Sequence, residues 1–245
     1  MSGYDPSLFE RIAEAEPRSF WFRARNRLVA DLLRKHFPDA ESLLEVGCGT
    51  GVVLEHLRRE LPGLRLVGSD LFAEGLEVAR RRLPDVELVR LDARELPYDA
   101  EFDVVAALDV LEHVDDEDAA LSGLHRAAKP GGGAIVIVPQ HPRLWSDLDE
   151  IVRHERRYTR RRLVDKVRSA GFEVEVVSSW VTTLLPAALL SRLVRRGGYD
   201  PVAELVPPRP LNAVFERVVD AERKLIGRGV SLPFGTSLLV VARKP

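Results

Sequence analysis

Ser42-Leu-Leu-Glu-Val-Gly-Cys-Gly-Thr-Gly51 decides the fold. Its first half is a short apolar run broken by one acid, Glu45. Its second half places glycines at 47, 49 and 51 directly before the amphipathic segment 52–60. An apolar run, a glycine turn and a helical period in that order predict a β-loop-α unit. Glycines in such a turn let backbone amides approach a ligand and let the chain reverse sharply.

Working outward, the same alternation repeats. Residues 64–68, 86–90, 102–108 and 134–138 read as strands, with helical periods at 73–83 and 116–128. The continuous apolar character of 134–138 is that of a strand buried on both faces, and Lys129-Pro-Gly-Gly-Gly133 before it reads as a loop that stops the preceding helix. Thr159 as N-cap and Gly171 as the closing glycine bracket a further helix. An alternating strand at 172–178 and a terminal strand at 237–242 complete the pattern. The expectation is an α/β chain with a seven-stranded, mostly parallel sheet and helices on both faces. Residues 1–40 form an N-terminal helical cap, 41–180 the core, 181–233 a helical insertion and 234–245 the terminal strand of the core.

The formal net charge of −2 gives no general attraction to nucleic acid or an anionic membrane, so any basic surface must be local. A single cysteine, Cys48, excludes an intramolecular disulfide and a multi-cysteine metal site. The first residues lack a basic region followed by an apolar run. The apolar stretch 180–191 falls short of the ~20 residues that span a bilayer. A cytoplasmic protein follows as the expectation.

In open α/β sheets ligands bind outside the carboxyl ends of the strands. There the sequence places Asp70 after the second strand and Asp92 after the third. A carboxylate only accepts hydrogen bonds, so it suits a diol, which offers two donors, or an exocyclic amine. A nicotinamide-dinucleotide fingerprint also uses a glycine turn and a later acid, but its third glycine would fall at Val52, where a β-branched side chain opposes close helix-strand packing.

Over roughly residues 40–180 this combination resembles the class I, Rossmann-like S-adenosylmethionine-dependent methyltransferases of small-molecule type. Lys129-Pro-Gly-Gly-Gly133 is similar to that family's loop before strand five. The resemblance implies S-adenosylmethionine as cofactor. By position, Glu45 would orient its aminoacyl part, with Gly47, Cys48, Gly49 and Gly51 packed beside it. Asp70 would take the ribose hydroxyls and Asp92 the adenine amine, with Leu71 and Ala93 flanking the ring. Leu108 and Asp109 would line the methionine side, and Arg25, on the N-terminal helix, would pair with the cofactor carboxylate.

Methyl transfer from a sulfonium is a direct displacement, for which alignment and exclusion of water suffice and no metal is required. A base is needed only for a hydroxyl or a protonated amine. His113 just past strand four, and His154 and Tyr158 after strand five, are the catalytic candidates; Trp21, His141, Arg153 and Arg157 are the candidates for binding the acceptor. Eight Lys or Arg residues between 153 and 168 suggest a phosphate or carboxylate on that acceptor, with a solvated helix face as the alternative. The expected partner is a small molecule methylated on O or N. A noncatalytic cofactor-binding partner or sensor is an alternative. An RNA methyltransferase is another, opposed by the pI of 6.3. Val181, Leu184, Leu185, Leu189, Leu190 and Leu193 suggest a mobile lid selecting an apolar portion of the acceptor, and leave open packing of the same face on the sheet, a homodimer or, with Arg192, Arg195 and Arg196, a peripheral membrane contact.

Overall fold

A computed structural model of the chain describes residues 7–194 and 206–245. Seven strands form one sheet in the order β3-β2-β1-β4-β5-β7-β6: β1 (Ser42–Val46), β2 (Arg65–Asp70), β3 (Glu87–Arg90), β4 (Phe102–Leu108), β5 (Ala128–Pro139), β6 (Glu173–Trp180) and β7 (Ser237–Arg243). The first five pair in parallel; β7 inserts antiparallel between β5 and β6. The strand order reverses at β1 and β4, the switch point where α/β sheets hold ligands.

The strands lack the alternation of a half-exposed sheet because both faces are covered. Leu43, Val104, Ala106, Ile135, Ile137, Leu239 and Val241 enter one core. Leu44, Val46, Val105, Val136, Val138, Leu238 and Val240 enter the other. The first core packs under α2 (Phe20–His36) and α3 (Val52–Glu60), the second under α5 (Glu117–Ala127) and α7 (Arg160–Ser169). With α1 (Ser7–Ala15), α2 forms the N-terminal cap around a short 310 turn that contains Pro17. α4 (Ala73–Arg82) links β2 to β3, and the short α6 (Asp147–Ile151) follows β5. Caps sit where the side chains predict them: Thr159 accepts from the Arg162 N–H at 3.2 Å, and Gly171 closes α7 at φ +104°.

One expected loop is a strand. β5 begins at Ala128 and runs through Lys129-Pro-Gly-Gly-Gly133, because Ala128 pairs with Phe102 and Gly133 pairs with both Val104 and Arg243. A register shift against β4 absorbs the extra residues, and Gly131 supplies the positive φ of +76° that the shift uses.

The insertion is two pieces with different fates. α8 (Leu185–Val194) leaves Leu189 and Leu190 exposed, and the side chain of Leu193 and residues 195 and 196 lie outside what is described. α9 (Arg209–Gly227) instead lies along α2. Val219 and Ile226 enter the first core, Phe215 packs edge-on against Phe20, and Glu216 bridges Arg23 (2.5 Å) and Arg27 (2.9 Å). Asp220 takes Arg27 at 3.0 Å, and Arg223 pairs with Asp31. This half of the expected lid is therefore part of the scaffold.

Each of these half-exposed pairs is worth no more than about 1 kcal/mol, whereas a fully buried valine truncated to alanine costs ~1–3 kcal/mol. Val219→Ala should accordingly lower stability by ~1–3 kcal/mol in denaturant titration. Hydrogen exchange of the ligand-free protein should show residues 212–226 protected like α2; rapid exchange there would restore α9 to a mobile lid.

Candidate active site

A cavity of about 270 Å³ opens at the carboxyl ends of β1 to β4. Its walls include Val46, Gly47, Gly49, Asp70, Leu71, Phe72, Asp92, Ala93, Asp109 and His113. Four strands thus deliver residues dispersed from 46 to 113 into one place. The glycine turn makes the floor. Gly47 has φ +71° and a Cβ there would collide with Val110, while a Cβ on Gly49, at φ +52°, would project into open space. Each glycine leaves backbone uncovered where a ligand can approach.

Asp70 fastens this floor. Its Oδ2 accepts the Gly49 N–H at 2.8 Å, and its Oδ1 accepts the Phe72 N–H at 2.9 Å. Burial raises its pKa against those bonds. Asp92 is tied to Arg94, accepting its N–H at 2.9 Å and its guanidinium at 3.0 and 2.6 Å. That arginine pulls the Asp92 carboxyl below its ordinary pKa despite partial burial. Each oxygen has more than one lone pair, so both acids retain acceptor capacity.

Glu45 faces α2 from the middle of the sheet. Burial, opposed by Arg25, pushes its carboxyl up to about 8. Its Oε2 and the Nε of Arg25 are both buried without hydrogen-bond partners, although Arg25 also donates to Asp109 Oδ2 at 2.8 Å and lies 4.7 Å from the Trp21 ring. An orphaned acceptor and an orphaned donor suit the ammonium and carboxylate of an amino acid. Asp70 and Asp92 suit a ribose diol and an adenine amine in the same way. The donor set therefore fits S-adenosylmethionine.

Neither Glu45 nor Arg25 is among the residues that line the cavity, and other expected residues do not reach it either. Cys48 turns into the first core beneath Gly68, and burial drives its thiol pKa upward. Gly51 caps α3 and admits the close approach of Ala79 and Leu83. Leu108 is core, and Trp21 packs on Arg25 and Trp180. His141 stacks on Phe234, with a pKa lowered by burial and Arg157. Tyr158 is fully buried and donates to Glu117 Oε2 at 2.5 Å. Burial and Glu117 push its phenol far above the ordinary range, so it is not placed to take a proton from an acceptor.

The basic cluster is mostly consumed internally. Arg156 donates to the carbonyls of Leu111, Val114 and Asp115. Arg157 forks onto Asp149 at 2.7 and 3.0 Å. Arg160 donates to Val177 and Leu232, Arg162 pairs with Glu117 and Lys166 with Asp118. Arg153 differs: it lines the cavity at φ +56°, exposed, with no ion pair among the described residues.

His154 and His113 do meet, with ring centroids 4.6 Å apart. Burial, reinforced by His154, lowers His113 to about 4, so it is neutral at neutral pH. His154 Nδ1 lies 2.7 Å from Asp149 Oδ1. Burial opposes ionisation of Asp149, but its bonds to His154, Arg157 and Ser146 hold its carboxyl well below the usual carboxylate range. Nδ1 is accordingly the donor of this pair. Sequence reasoning missed Asp149, as well as Phe9 and Phe72, which meet at 5.8 Å on the cavity wall. Nothing in a short acidic helix marks one of its carboxylates as a buried hub.

A methyltransferase-domain family profile matches residues 15–177. The chain belongs to that family. Among curated relatives, this chain is 33% identical over 123 residues to the dTDP-3-amino-3,4,6-trideoxy-alpha-D-glucopyranose N,N-dimethyltransferase of Streptomyces venezuelae, covering 49% of this chain and 51% of that one. It is 35% identical over 118 residues to the trans-aconitate 2-methyltransferase of Azoarcus sp., covering 48% and 47%. The chain thus spans about half the length of these relatives. A solved SAM-dependent methyltransferase from Thermotoga maritima shares the fold, with TM-score 0.63 at 21% identity over 98% of this chain and 96% of that one.

The raised Glu45 pKa sets a pH test. The folded state holds a proton that the unfolded chain has lost above its ordinary value of 4.5, so stability of the free protein falls as pH rises from about 5 to 8, by at most ~1.4 kcal/mol per pH unit from this group. Glu45→Gln should flatten that slope in thermal melts; an unchanged slope would show that Glu45 ionises normally.

Proposed function

We propose that this protein transfers the methyl group of S-adenosylmethionine to an oxygen or nitrogen of a small molecule by direct displacement. The observation that carries this reading is the convergence of Gly47, Gly49, Asp70 and Asp92 on one cavity at the switch point of the sheet. Glu45 and Arg25 hold the amino-acid end of the cofactor, Asp70 the ribose and Asp92 the adenine, with Leu71, Phe72 and Ala93 supplying the apolar walls. The cofactor brings the electrophilic methyl. The chain's part is alignment and a water-poor pocket.

The free guanidinium of Arg153 at the mouth is the anion contact, so the acceptor carries a phosphate or carboxylate. Acceptors named for the relatives, a dTDP-sugar amine and an aconitate, both fit that description. No helix among the described residues is long and apolar enough to cross a membrane, consistent with work in the cytoplasm. Exposed Leu189 and Leu190 on α8 are the surface that a homodimer or a peripheral membrane contact would use.

Calorimetry with S-adenosylmethionine and S-adenosylhomocysteine tests the cofactor. Both should bind, and Asp70→Ala should weaken them by roughly 2–4 kcal/mol through lost charge-assisted bonds; preference for NAD would sink the assignment. In methyl-transfer assays on sugar nucleotides and small organic acids, Arg153→Ala should raise KM roughly tenfold while cofactor affinity stays unchanged.

A further inference from the structure

Glu112 is a fully buried carboxylate, and neither of its side-chain oxygens has a hydrogen-bond partner. Burying such a group costs several kcal/mol unless something compensates the charge. The buried arginine nearby, Arg157, is already committed to Asp149. What faces Glu112 instead is a pair of imidazoles. Ligand atoms of Glu112, His113 and His154 all lie within 4.8 Å of one another.

The one measured separation in this cluster suits a shared ion better than a hydrogen bond. Glu112 Oε1 and His154 Nε2 are 3.9 Å apart, too far for a hydrogen bond. Bonds of ~2.0–2.2 Å from each atom to one shared ion would span that gap. The outer side of His154 is also prepared: its Nδ1 meets Asp149 at 2.7 Å, and Asp149 is fixed by Arg157 and Ser146. A carboxylate behind a histidine fixes the tautomer and aims the other nitrogen, the usual support of a metal ligand.

We infer that Glu112, His113 and His154 bind a divalent transition-metal ion in the wall of the active-site cavity. Two imidazole nitrogens and one carboxylate suit ions from Mn2+ to Zn2+ better than Ca2+, which takes oxygen ligands. Three protein ligands leave coordination positions open, as catalytic sites do. His113 and Asp109 line the cavity, so those positions are available to the acceptor. An ion there would hold an acceptor oxygen and ease loss of its proton. That role rests on the methyl-transfer reading; ion binding does not.

The experiment titrates chelator-stripped full-length protein with MnCl2, CoCl2 and ZnCl2, following heat and the visible spectrum of Co2+, with S-adenosylhomocysteine affinity and thermal melting measured in parallel. Wild type should bind at least one of these ions, Glu112→Gln and His154→Gln should each lose roughly tenfold or more in affinity, and Asp149→Asn a comparable amount through the histidine it positions. S-adenosylhomocysteine affinity should persist in all of them. No binding by wild type, or unchanged binding by a folded Glu112→Gln or His154→Gln, overturns the site. Should Glu112→Gln fail to fold, His154→Gln decides alone. Cofactor binding without metal binding would leave the methyltransferase reading standing and remove this one; metal binding lost in the variants without any cofactor binding would do the reverse.

Discussion

The carboxylate of Asp70 joins two pieces of backbone that would otherwise be independent. One oxygen takes the Gly49 amide from the turn after β1, the other takes the Phe72 amide from the start of the next helical segment. Two strand ends thereby become a single rigid rim, and the glycine turn is held in the positive-φ geometry that exposes its amides. Everything downstream uses that rim. Asp92 continues it just past the end of β3, and Asp109, at the switch point, closes it through Arg25 to the N-terminal cap. Asp109 itself sits at φ +59°, and Arg153 and His141 share this uncommon region. Non-glycine residues held there cost free energy and persist only where surrounding structure over-determines them.

Most of the sheet was legible because local chemistry and tertiary environment agree along it. Residues 42–46 and 134–138 are apolar because both faces are covered, and Thr159 and Gly171 cap α7 by interactions internal to that segment. The 129–133 stretch misleads for the opposite reason. Proline and three glycines lower strand propensity, yet pairing with β4 and β7 on either side recruits them into β5. Likewise the apolar positions of 209–227 signal burial without naming the surface they meet. Only the tertiary fold shows that surface to be α2.

The site divides along the same line. Glycines and acids at strand ends are visible because they interrupt an apolar pattern, and Gly47, Gly49, Asp70, Leu71, Asp92, Ala93 and Asp109 line the cavity. For the acceptor half, residue type alone cannot separate a working arginine from a structural one. Arg157 and Arg153 stand four residues apart in one basic run, yet the first is locked against Asp149 and the second is exposed on the cavity. Tyr158 follows the same logic, since its hydroxyl is spent on Glu117. For Tyr158 the deciding partners stand more than 40 residues away in the chain.

The position of β7 bears on how the chain reaches this structure. It is the final strand in sequence, but it lies between β5 and β6 rather than at an edge. Until residues 237–243 arrive, both those strands present open, hydrogen-bonding edges in an apolar setting. α9 adds a similar delay, since its bonds to α2 close loops of about 190 residues. On a ribosome, the glycine turn and first four strands emerge early, whereas the sheet that supports them stays incomplete until β7 follows. The interval is one of exposure to aggregation and chaperones. A stall shortly before residue 237 would therefore release a chain carrying every cavity-lining residue but no finished core beneath them.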